Sequence, residues 1–166
     1  MRDLELTRTR SDRRLYALDG VGTLRLHGWM GRSATAEAGS RTWGFARRGL
    51  FRAVVEATDA TGAAAGEFAA NGLRRGGVLR WGARELELRP ASMWRERYAL
   101  ADGAQELATF SAKGWGSRPV TVSVDGAAAV EPGLLLFAAF VVHGLAEDAG
   151  ATAATTAGTA AAVAGS

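Results

Sequence analysis

The chain has no cysteine, two histidines, one lysine and three prolines among its 166 residues. Without cysteine there is no disulfide framework, no thiolate nucleophile and no Cys-based zinc site. His27 and His143 are the only side chains whose ordinary pKa lies near neutrality, too few for a His-rich metal site. A long apolar run is also missing, since the longest, from Leu134 to Val142, spans nine residues. The amino terminus, "MRDLELTRTRSDRR", is charged and has no apolar stretch, so it does not read as a secretory signal. The expected location is cytoplasmic, or peripheral to a membrane, with residues 1–12 as a polar arm.

What remains is ordinary for one globular domain: 48% hydrophobic and 22% charged residues. The net charge is +3 and the computed pI about 10.1, with Lys113 the only basic residue that is not arginine. An arginine bias beside abundant alanine and glycine fits a GC-rich coding sequence as well as it fits phosphate contacts.

From about residue 13 to 125 the chain breaks into eleven short segments separated by glycine, aspartate or asparagine. "DG" at 19–20, "NG" at 71–72, and "DG" at 102–103 and 125–126 favour the positive φ angles of tight hairpins. A period of roughly ten residues per strand and turn is the all-β signature. Several segments alternate. "RELELR" sets Leu86 and Leu88 against Glu85, Glu87 and Arg89, and "PVTVSVD" sets Val120, Val122 and Val124 against Thr121, Ser123 and Asp125. "GTLRLHG" does the same, with His27 on the outer, solvated side. A dry face and a wet face on each strand imply one layer of antiparallel sheet covering something.

Residues 131–149, "EPGLLLFAAFVVHGLAEDA", supply that something. Pro132 suits a first helical turn, Glu131 suits the positive end of the helix dipole, and Gly150 reads as the stop. The uncharged run 133–146 would be roughly 21 Å long at 1.5 Å per residue. A membrane span needs about 20 apolar residues, so the segment reads as a buried core helix over about 131–148, not a transmembrane one. Residues 150–166, alanine, threonine and glycine with little to bury, read as a disordered tail.

The combination of "VTVSVDG" with this terminal helix, behind eleven strand-like segments, resembles the tubby C-terminal-like superfamily, which includes phospholipid scramblases and the LURP-one-related proteins of plants. The resemblance covers residues 13–149. It implies a mainly β fold, a closed antiparallel barrel of about 11–12 short strands around the hydrophobic C-terminal helix. It also implies a non-catalytic binding module for an anionic phospholipid or phosphoinositide surface. A protein partner is the other expectation; nucleic acid is not expected.

Two clusters interleave basic and aromatic residues, "RTWGFARRGLFR" with Arg47 and Arg48, and "LRRGGVLRWGAR" with Arg74, Arg75 and Arg80. Guanidinium groups suit bidentate phosphate binding. The same pattern also arises when Trp43 and Phe45 fill a core and arginines solvate strand ends. Lys113 and Arg118, in the glycine-rich "AKGWGSRP", fit either a ligand loop or a barrel corner. Glu96 would need an arginine partner if it faced inward, and His143 reads as a neutral core group. A small enzyme using Glu96 or Lys113 in a wall pocket, or a purely structural interaction domain, are the alternatives. "TGAAAGE" lacks the Lys-Ser/Thr of a phosphate loop and no Gly-x-Ser-x-Gly elbow occurs, so no catalytic residue and no cofactor are expected.

Overall fold

A computed structural model describes residues 2–28, 31–49, 54–72, 76–92, 97–111, 120–126 and 129–163, with the backbone path alone for 120 and 149–163. Strands β1 (Arg2–Arg8), β2 (Leu15–Leu18), β3 (Gly22–His27), β4 (Ser33–Ala38), β5 (Arg41–Arg48) and β6 (Val54–Asp59) form the first half. Strands β7 (Ala64–Ala70), β8 (Gly77–Trp81), β9 (Arg84–Ser92), β10 (Arg97–Asp102), β11 (Gln105–Ser111) and β12 (Val120–Val124) form the second. Each pairs antiparallel with its neighbour in sequence, and β1 pairs with β12 to close the barrel. Helix α1 (Pro132–Val163) runs through the middle.

Closure depends on a strand inside the segment that the sequence reading treats as a polar arm. In "RDLELTR" only Leu4 and Leu6 are apolar, but they alternate with charges and are 5% and 1% exposed. Leu4 sits opposite Val122 on β12 and Leu6 opposite Leu18 on β2. Charged residues mark the wet face of a strand as readily as they mark a free arm. The structure corrects the reading here: residues 2–8 are the closing stave.

Inward positions alternate large and small across the staves, as in the row Leu26, Ala34, Phe45, Ala57. The helix packs most closely on β3, β4 and β5, where Ala34 and Ala36 leave room for its backbone. All nine residues from Leu134 to Val142 are 4% exposed or less. A helix apolar around its whole circumference has nowhere else to sit in water.

The helix also continues past Gly150 to Val163, where the sequence reading places a stop and a disordered tail. A glycine inside a helix costs only about 1 kcal/mol relative to alanine, the best helix former, and alanine dominates the residues that follow.

Because every stave reverses direction, connections fall alternately at two mouths. At the upper mouth the helix begins; at the lower mouth it emerges.

Candidate functional site

The upper mouth is shut by aromatic packing. Trp43 and Trp81 lie with ring centroids 6.2 Å apart over Gly133, in the first turn of the helix. A Cβ on Gly133 would lie 2.7 Å from a ring carbon of each, so only glycine fits. Glu131 ties the arrangement together. Its carbonyl accepts the first helical hydrogen bond from Leu135. Its carboxylate accepts from Trp81 Nε1 at 3.0 Å and from Arg41 Nη1 at 2.7 Å. The Arg41 guanidinium in turn lies 4.9 Å from the Trp43 ring centroid, within cation–π range. Every group here is spent on holding the helix.

On the outer wall, the two described arginines of the candidate set are engaged with carboxylates. Arg48 pairs with Glu56 at 2.7 Å, and Arg80 with Glu85 at 3.1 Å and Glu67 at 3.9 Å. Strand register aligns Glu56, Glu67, Arg80 and Glu85 in one row, with Glu56 directly opposite Glu67. The same row borders a wall depression of about 490 Å³ that includes Thr58, Gly66 and Gly82. Three carboxylates against two arginines make this stretch of wall net acidic, which does not suit an anion.

Arg47 and Arg48 do not act as a pair. Trp43, Phe45 and Arg47 share the inner face of β5, so Arg47 points to the lower mouth, where it pairs with Asp148 on the helix. Beside it Arg32, Phe68, Phe140, Gly144 and Glu147 surround a space of about 20 Å³, the size of one water molecule. His143 is 7% exposed, with Nε2 3.7 Å from Glu147 Oε1, and burial pulls its pKa down to about 4. It is therefore neutral at pH 7. Burial pushes the Glu147 carboxyl up, against the opposing pull of Arg47. His27 is half-buried, not fully solvated, with Nε2 2.8 Å from Thr35 Oγ1.

Arg74, Arg75, Lys113, Arg118 and Glu96 lie outside the described residues. In chain order 74 and 75 fall between the end of β7 and the start of β8, and 113 and 118 between the end of β11 and the start of β12, strand ends that lie at the lower mouth. Arg80, on the second half of β8, belongs nearer the upper one. Sequence reasoning missed the described arginines that share the lower mouth: Arg10, Arg13, Arg14, Arg32 and Arg97. All five are exposed, and none makes an ion pair with a carboxylate among the described residues. Their spacing along the chain carries no motif; only strand parity places them together.

In comparisons with known proteins, no family model, curated protein or solved structure matches the chain. Among the described residues, no helix is long and apolar enough to cross a membrane.

Proposed function

We propose that the chain is a non-catalytic binding module for an anionic partner, of the tubby-like type, with the lower mouth as its contact face. The observation that carries this reading is a contrast between arginines. Arg41, Arg48, Arg80 and Arg84 are each matched to a carboxylate on a neighbouring element. Arg10, Arg13, Arg14, Arg32 and Arg97 are exposed around one mouth and make no such pair among the described residues, although Arg25 and Arg47 are paired there, whereas at the upper mouth Arg2 alone among the described arginines is exposed and unpaired. Guanidinium groups left to solvent and gathered at one end give a local positive potential well above what the net charge suggests. The helix occupies the barrel interior with apolar side chains, which supports an outer face as the working surface. Twelve staves around a C-terminal helix also support the tubby-like assignment.

The test is retention on an immobilised polyanion such as heparin, eluted with salt. The wild-type chain should elute late, and the R10Q/R13Q/R14Q variant clearly earlier. R84Q, which removes the same kind of charge from the upper mouth, should elute close to wild type. The same shift per charge removed for both variants would mean that net charge, not a face, does the binding.

A further inference from the structure

Where helix α1 leaves the barrel, two glycines open a gap between the helix and the wall. Gly31, just before β4, has φ 58°, a backbone conformation that other residues rarely adopt. Gly144 stands in the helix, and a Cβ there would find only Arg47 Nη1 within 4 Å. The crevice between them is the one that encloses about 20 Å³ beside Arg47. Counting the opening above it, where solvent enters, the free space is about 380 Å³. Among the described residues its floor is Val55, Phe68, Phe140 and Val141, each 4% exposed or less. Its rim carries Arg32, Arg47 and Glu147. An apolar floor under a few convergent polar groups is the form of a small-molecule site.

The rim charges narrow the ligand. Arg47 pairs with Asp148, so the two close one side of the opening and cancel. Arg32, on the wall side, is exposed and makes no ion pair among the described residues. Glu147, on the helix side, lies 3.7 Å from His143, whose ring is neutral at pH 7, and pairs with no arginine among the described residues. One guanidinium and one carboxylate therefore face the opening from opposite walls. A simple acid would suit Arg32 and be repelled by Glu147, and a simple amine would meet the reverse. A molecule that carries both charges on neighbouring atoms matches both walls. The enclosed floor adds a size limit, since a water-sized space also fits a methyl group and little more.

Beyond the anion-binding reading and independent of it, we propose that this crevice binds a free α-amino acid with a small apolar side chain, valine or smaller. Its carboxylate meets Arg32, its ammonium meets Glu147, and a side-chain methyl enters the floor. Burial pushes the Glu147 carboxyl up in the empty crevice, and an ammonium brought beside it favours the ionised form again.

The test compares L-valine with three probes by saturation-transfer NMR and titration of backbone amide shifts. Isovalerate is valine without the ammonium, isobutylamine is valine without the carboxylate, and L-phenylalanine keeps both charges on a side chain too large for the floor. Loss of a charge-assisted hydrogen bond weakens binding roughly tenfold or more, so valine should bind at least that much better than isovalerate or isobutylamine. Phenylalanine should bind more weakly than valine as well. R32Q should weaken valine and isovalerate but not isobutylamine. E147Q should weaken valine and isobutylamine while strengthening isovalerate, which no longer faces a like charge. Gly144→Ala places a methyl in the crevice, so it should abolish valine binding in a chain that is still folded by circular dichroism. R10Q/R13Q/R14Q should bind valine like wild type whatever happens to its retention on heparin, which keeps the two readings separable. Isovalerate or isobutylamine binding as tightly as valine would show that one of the charges is not read and overturn the assignment. Valine binding that survives Gly144→Ala would place the site elsewhere, and no saturation transfer to valine at millimolar concentration would sink the proposal.

Discussion

Replacing Gly133 with alanine sets helix propensity against packing. Alanine is favoured over glycine inside a helix by up to about 1 kcal/mol, so the sequence alone forecasts a more stable protein. The structure forecasts the opposite. The new methyl would stand 2.7 Å from both Trp43 Cζ2 and Trp81 Cζ2, closer than carbon atoms approach. Neither ring is free to retreat. Trp81 is held by the Glu131 carboxylate, and its other side lies over Gly66, where even a Cβ would come within 2.6 Å of Cε3. Trp43 is 2% exposed and packed against Trp81. Overpacking of this kind costs roughly 1–3 kcal/mol, and two rigid rings place it toward the top of that range. Net of propensity, the loss should be about 2 kcal/mol, a fall in Tm of roughly 4–8 °C for a domain of this size. Gly144→Ala is the matched control. Its Cβ would meet only Arg47 Nη1, the end of a flexible side chain, at 3.4 Å. That variant should gain up to about 1 kcal/mol. Urea and thermal unfolding of both decide the matter: if G133A is stabilised as much as G144A, the helix does not thread between the two tryptophans.

Other expectations follow from the same contacts. Leu6→Ala should cost roughly 2–5 kcal/mol by chemical denaturation, because Leu6 is a core residue of the closing stave; a change within error would restore the view of residues 1–12 as a free arm. His143 has a folded-state pKa of about 4 against an ordinary 6.5, so the unfolded chain binds its proton more readily and stability falls as pH drops from about 6.5 toward 4. The loss is on the order of 3 kcal/mol, opposed by Glu147, whose raised pKa favours the folded state as pH falls; His143→Leu should flatten the stability–pH curve over that window. A double-mutant cycle on Arg47 and Asp148 should return a coupling of about 0.5–1 kcal/mol, and a value of zero would show that this pair does not hold the emerging helix.

The fold was largely legible before any coordinates. Period-two alternation, turn dipeptides at regular spacing and one apolar segment too short to span a membrane leave few arrangements other than a sheet wrapped around a helix. These are local signals: "RELELR" needs no partner to show which of its faces is dry. Two local signals pointed the wrong way. The closing strand hid behind its charges, because two leucines in seven residues look polar until β2 and β12 stand on either side of them. The helix ran through Gly150 because a single weak stop does not outweigh the alanines that follow.

The candidate site was legible only in pieces. Composition gave the arginines but not which were taken up: whether Arg48 or Arg80 is available depends on Glu56 and Glu85 on adjacent staves. Nor does the sequence bring Arg10, Arg13 and Arg14 near Arg32 and Arg97, since the residues between them belong to the barrel wall. That gathering requires knowing that twelve staves alternate in direction and close on themselves, so that every second connection returns to the same mouth. The sequence by itself determined which residues are dry and roughly where the chain turns, because burial and turn chemistry are properties of neighbours along the chain. The tertiary structure decided which charges are matched and that most of the unmatched arginines meet at one end, because pairing depends on distance in space.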